Sequence, residues 1–392
     1  MPKVYRQLTV PDMVRVHRYQ SLPELGPTLL FFSGGSALNK ISRCLKRYTH
    51  HSVHMVTPFD SGGSSAKLRD AFDMPAVGDL RSRIMALADE TVLGQPDVYE
   101  LFSYRMGTRA NSKQLFLELA ALVDGSHPLM IPIVAPMKAL IQTQLKRLQE
   151  RLPEDFDLRG ASVGNLIIAG GYLSYQELLD PIVFLFSRLV KTLGQVTTII
   201  DDVYHLGVTL SDGRRIIGQH LMTGKEAAKL DSPITKIWLN NGLTECVPVQ
   251  PLLPDDRRQQ ITSSDLICYP PGSFFTSIVA NLLVTGVADA IAKNRNPKVY
   301  LPNLGEDPEQ LGWPIMKRIE YLLRLLLDDE PDQNCHRPVL NWLLLDDAYD
   351  YGFLDEEKLK EWGVSVVRTR LITTRIERYD EQRVSEALLS FV

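Results

Sequence analysis

Three stretches of the sequence combine glycine with small hydroxyl residues: Ser33-Gly34-Gly35-Ser36, Asp60-Ser61-Gly62-Gly63-Ser64-Ser65 and Pro271-Gly272-Ser273. Glycine lets a backbone come close to a ligand, and the first amides of a following helix carry partial positive charge, which together suit a phosphate. Any one of these stretches also fits a plain tight turn. Brought to one place, their amides would surround a diphosphate.

The second stretch continues through Lys67, Arg69 and Asp70 to Gly78-Asp79-Leu80-Arg81, a charged run that reads as an active-site loop. Asp60 either holds a hard divalent cation beside phosphate oxygens or caps the turn that follows it. Asp79 either positions and deprotonates a hydroxyl or opens a helix beginning at Leu80. Arg69 and Arg81 either neutralise phosphate or form surface ion pairs. Two amides, Asn165 after Ser162-Val163-Gly164 and Asn281 within a helical pattern, either reach a ligand or sit buried against backbone. His50, His51 and His54 crowd one strand edge, but neighbours along a strand face opposite sides, so their spacing does not favour a metal site.

Absences narrow the chemistry further. The sequence has no G-x-x-x-x-G-K-[ST], G-x-G-x-x-G, H-E-x-x-H or G-x-S-x-G, which removes support for the common nucleotide, zinc-protease and serine-hydrolase readings. Forty-three Lys and Arg against 47 Asp and Glu give a net charge of -4, so no global positive field draws nucleic acid. Cys44, Cys246, Cys268 and Cys335 lie far apart without a C-x-x-C pair, which argues against a zinc site or a disulfide scaffold. The first residues lack the apolar centre of a signal peptide, and the most apolar later stretches are broken by Asn281, Asp289, Arg324 and Asp328. The expectation is a cytoplasmic protein with neither membrane nor nucleic-acid partner. Homo-oligomerisation is left open.

The elements that must carry these groups follow from periodicity. Residues 1–26 mix prolines and charges without a clear period and read as an arm packed on something larger. From residue 27 to 392 the pattern is that of one α/β unit. The apolar run Leu29 to Phe32 reads as a strand, Ala37 to Tyr48 as a helix and Val53 to Thr57 as a second strand. A mostly helical block spans about Arg83 to Lys191, and Asp212-Gly213 marks a hairpin. Leu266 to Tyr269 then runs into Pro271-Gly272-Ser273 and a helix over Ser277 to Ala292. Strands alternating with helices predict a mostly parallel sheet covered on both faces, with the glycine bends at the carboxyl ends of the strands.

The ordered motifs Ser33 to Ser36, Asp60 to Arg69, Gly78 to Arg81, Ser162 to Leu166 and Pro271 to Ser277, extended by Asn281 to Val284 and Lys298 to Tyr300, resemble those of the 2-phospho-L-lactate transferase (CofD) and YvcK-like family. The resemblance runs from about residue 28 to the end and implies a Rossmann-like three-layer α/β/α fold with a helical insertion. Transferase members move a phospholactyl group from a guanosine-diphosphate-linked donor to the hydroxyl of a deazaflavin, with magnesium. YvcK-like members bind uridine-diphosphate sugars and act in regulation. Family members usually carry glycine where this chain has Ala37, an acidic pair where it has Phe59-Asp60, and Gly-Pro-Gly-Ser where it has Pro270 to Ser273. These swaps resemble a divergent subgroup named for its company with an ATP-grasp protein and a kinase. The resemblance thus implies a GDP- or UDP-linked conjugate as partner, Mg²⁺ on Asp60, and either transfer to a hydroxyl acceptor or non-catalytic sensing.

Overall fold

The apolar runs become strands buried on both sides. The computed structural model describes residues 8–224, 227–327, 338–373 and 375–392; Cys335 and the first seven residues of the expected arm lie outside them. The strands are β1 (Leu29–Ser33), β2 (Val53–Val56), β3 (Gln195–Thr198), β4 (His205–Leu210), β5 (Arg215–Ile217), β6 (Ile234–Asn240), β7 (Pro248–Val249), β8 (Leu266–Tyr269), β9 (Lys298–Tyr300), β10 (Trp342–Asp346) and β11 (Ser365–Thr369). Seven of them form one sheet in the order β11-β10-β9-β8-β1-β2-β3, with every pairing parallel.

Alternation along each strand divides the core between the two faces. Leu30 and Phe32 point into one apolar cluster with Ile267, Tyr269 and the helix Ile315–Leu327; Leu29 and Phe31 point into another with Cys268, Leu45 and the helix Glu381–Leu389. Fully burying such a side chain contributes roughly 1.5–3 kcal/mol, so the central strands anchor the layers. Parallel strands covered on both faces with helices make the fold Rossmann-like α/β.

Between β2 and β3 the chain forms the helices Gly63–Phe72, Gly78–Leu87, Pro96–Ser103, Ser112–Asp124, Ala135–Arg151, Val163–Ser174 and Leu179–Leu189. Helix therefore begins at Gly63, and the stretch expected to be an active-site loop is two helices joined by a short turn. Val163–Ser174 is the centre of this layer. A Cβ on Gly170 would stand 2.0 Å from the Gln144 carbonyl oxygen, so only glycine lets the two helices approach so closely.

One expectation gains detail and one needs correction. The arm contains a helix, Met13–Ser21, capped by Asp12; its only buried residue is Val16, which is why no apolar period marked it. Asp12 N–H donates to Ser390 Oγ at 2.7 Å and ties the arm to the chain end. The single helix expected over Ser277 to Ala292 is broken. A π-helical turn, Phe274–Val279, passes into Ala280–Leu282, and a new helix, Val287–Lys293, starts after Gly286 at φ +94°. Thr285 N–H donates to the Pro251 carbonyl, so the break pairs with the segment that follows the second sheet.

That second sheet is antiparallel, β5-β4-β6-β7, with its first hairpin turned at Gly213 (φ +89°) as the Asp-Gly pair predicts. After β5, Gly218 at φ +109° starts a short 3-10 turn, Gln219–Leu221.

Candidate functional site

Chain order reverses between β1 and β8: β2 and β3 lie to one side, β9 to β11 to the other. The loops leaving the carboxyl ends of β1 and β8 separate there, and such a point opens a crevice. A cleft of about 480 Å³ occupies it. All three glycine bends reach it, through Ser33, Gly34, Gly35 and Ser36, through Asp60, Gly62, Gly63, Ser64 and Ser65, and through Gly272 and Ser273. Asp79, Arg81 and Asn165 line it as well.

The bends are fitted to one another. A Cβ on Gly34 would stand 2.4 Å from Ser277 Oγ, and one on Gly78 would stand 2.5 Å from Ser65 Oγ. A Cβ on Gly35 would meet Asp79 Oδ1 at 3.2 Å. Gly63 takes φ +53°, a left-handed value that favours glycine, at the first position of its helix. Asp60 accepts from Gly62 N–H at 3.1 Å, which caps its turn, and it also lines the cleft. Asp79 lies in the first turn of Gly78–Leu87, a helix that starts two residues before the expected Leu80.

The third bend supplies fewer amides than expected. Phe274 N–H donates to Asp307 Oδ2 at 3.0 Å and Thr276 N–H to Glu309 Oε2 at 2.9 Å, so two carboxylates already take the helix-opening amides. The amides of Gly272 and Ser273 have no partner among the described residues. Burial, then the nearby Asp307 charge, pushes Glu309 up to about 8, and burial raises Asp307 too.

Two guanidiniums support the cleft wall: Arg81 lines the cleft and Arg83 is buried behind it. Arg81 Nε donates to Asn165 Oδ1 at 2.8 Å, and Asn165 Nδ2 donates to Ser64 Oγ at 3.2 Å, which links the helical layer to the second bend. Arg83, fully buried, donates from Nη1 to Ser42 Oγ at 2.7 Å and from Nη2 to the Gly35 carbonyl at 3.0 Å. Burial lowers both arginines to about 10, and the Asp79 charge opposes that fall in each. Asp79 thus acts as the counter-charge for both.

Two expected ligand contacts are structural. Arg69 does not line the cleft: its guanidinium donates to the Asp60 and Tyr204 carbonyls at 3.0 and 2.7 Å, and Nη2 lies 3.2 Å from His205 Nε2. Asn281 is buried away from it and donates to the Ser33 and Ser277 carbonyls at 3.2 and 2.7 Å. Each positions a bend. Two of the three histidines make structural contacts: His54 stacks on Phe31 with ring centres 4.9 Å apart, and His51 Nε2 lies 2.6 Å from the Glu24 carbonyl oxygen. Arg105, Gln219, His220 and Thr223 line the cleft but were not singled out in the sequence. The last three come from the turn after β5, and only the hairpin signal just before it pointed there.

These features define a Rossmann-like α/β protein with a polar, glycine-bounded cleft at the switch point of its sheet. The sequence profile for 2-phospho-L-lactate transferase CofD matches residues 29–372, and the chain belongs to that family. It is 27% identical over 387 residues to a "Putative gluconeogenesis factor" of Thermoanaerobacterium thermosulfurigenes, covering 94% of this chain and 97% of that one. It is 24% identical to the "Gluconeogenesis factor" of Bacillus subtilis, covering 93% and 98%. A crystal structure of a Bacillus halodurans protein superposes with a TM-score of 0.68 at 22% identity, covering 93% of this chain and 99% of that one. No helix among the described residues is long and apolar enough to cross a membrane.

Proposed function

We propose that the cleft binds a nucleoside-diphosphate-linked small molecule and transfers its phospho-ester group to a hydroxyl acceptor. The observation that carries this reading is the convergence of Gly34, Gly63 and Gly272 on one cleft beside Asp60 and Asp79. In the reaction, an acceptor oxygen forms a bond to the distal phosphorus while the bridging P–O bond breaks, and a nucleoside monophosphate leaves. Asp79 takes the acceptor's proton; it packs close to Gly35 and lies within the electrostatic reach of Arg81 and Arg83. The amides of Gly34, Gly35, Gly272 and Ser273 meet the oxygens where charge develops, and Arg105 adds a cation at the rim.

A magnesium ion fits only as a shared ligand. No group of three or more acidic, histidine or cysteine side chains that could hold a metal occurs among the described residues. Mg²⁺ commonly uses one or two carboxylates completed by substrate phosphates and water, so Asp60 suffices as the protein's contribution. Bound there, it would neutralise phosphate charge.

A second reading, a non-catalytic nucleotide-sugar regulator, draws on the resemblance to the YvcK-like branch, and the relatives' name, gluconeogenesis factor, states no catalytic activity. Incubation with Mg²⁺, alcohol acceptors and a panel of GDP- and UDP-linked conjugates separates the two. Release of nucleoside monophosphate supports transfer. Binding without release supports the regulator, and a panel that neither binds nor reacts rejects both.

A further inference from the structure

We propose that His220 is a ligand-binding residue of the cleft and that it acts as a hydrogen-bond donor through Nε2–H, not as a base. The inference rests on the anionic-ligand reading above and adds the residue that contacts the ligand from the antiparallel sheet.

The ring is fixed from two sides. Ser61 Oγ lies 2.8 Å from His220 Nδ1, and the backbone N–H of His220 donates to the same Oγ at 3.2 Å. That amide already uses Ser61 as an acceptor. The hydroxyl proton then has one acceptor among the described residues, Nδ1. Donating that proton to Nδ1 satisfies the hydroxyl, and the neutral imidazole we infer then carries its own proton on Nε2. On the other side the ring lies against Gly218, where a Cβ would stand 2.9 Å from Cε1 and φ is +109°. Any larger residue at 218 would push the ring away. His220 lines the cleft, and its Nε2 has no hydrogen-bond partner among the described residues.

A histidine that serves as a base has the reverse arrangement, with Nδ1–H donating to an orienting group and Nε2 bare. Here the bare nitrogen is spent on Ser61. His220 is therefore suited to an acceptor oxygen, such as one of a phosphate ester or a carboxylate, and proton removal is left to Asp79.

The test combines calorimetry with NMR. Pyrophosphate, GDP and UDP are titrated into the wild type, His220→Phe and Ser61→Ala, and imidazole nitrogen shifts are read in the wild type. The proposal expects a bare Nδ1 and protonated Nε2, roughly tenfold weaker binding by His220→Phe, and a smaller loss in Ser61→Ala. A proton on Nδ1, or wild-type affinity in a folded His220→Phe, overturns it while leaving the reading of the cleft intact. If His220→Phe fails to fold, unchanged affinity in Ser61→Ala overturns it instead. A wild type that binds none of the three probes overturns the anionic-ligand reading and this proposal with it.

Discussion

Gly34 and Ser277, far apart in the chain, are in contact at the switch point: a Cβ on Gly34 would stand 2.4 Å from Ser277 Oγ and 2.8 Å from Ser277 Cβ. The loop after β1 and the π-helical turn after β8 therefore fit only if one of them lacks a side chain. Gly34→Ala is expected to cost roughly 1–3 kcal/mol in denaturant unfolding and to weaken nucleotide binding. Adding Ser277→Gly should recover part of the stability, because the two nearest clashing atoms are then gone. Equal stability of the single and double variants would show that the contact does not set the cleft.

Arg83 holds the first bend from beneath. Arg83→Met removes donors to Ser42 and to the Gly34 and Gly35 carbonyls, leaving buried acceptors unpaired. Each such group costs about 1–3 kcal/mol, so urea melts should show a loss of several kcal/mol. Arg83→Lys should fall between, since the ammonium keeps the charge but not the planar fork.

Asp79→Asn keeps the shape of the cleft and removes the proton acceptor. Turnover should drop on the order of 100-fold or more while nucleotide affinity changes little. An equal fall in both would make Asp79 a binding residue only.

Acid should weaken the fold through its buried imidazoles. Burial holds His205 at about 4, against an ordinary value of 6.5, and holds His54 well below that value. As pH falls through 6.5, the unfolded chain takes up protons that the folded chain refuses, so stability declines from there towards about 4. Urea midpoints measured from neutral pH down to about pH 5 should slope less in His205→Gln than in the wild type. Identical slopes would remove His205 from the acid response.

What could be read in the sequence was local. The unbroken run Leu29 to Phe32 and the small residues after it gave a buried strand ending in a bend, because parallel strands need no polar face. Alternation of strand and helix gave the sheet, and the sheet's order then gathered the bends. The misreadings are long-range. Arg83 was not singled out at all, because nothing local shows that its fork would meet the Gly34 and Gly35 carbonyls. Arg69 and Asn281 carry ligand-binding chemistry yet spend it on carbonyls brought close by folding. Val287–Lys293 is split from the helix before it by a pairing with Pro251 that no periodicity reveals. Gln219 and His220 reach the cleft only because a separate antiparallel sheet carries them there.

The lateness of Ser277 in the chain also bears on synthesis. A nascent polypeptide emerging from the ribosome presents Gly34 long before the segment that closes against it exists. The cleft cannot mature on a growing chain until β8 and its turn have emerged. Fragments ending before Ser277 should therefore keep the glycine signatures and still fail to capture any nucleotide.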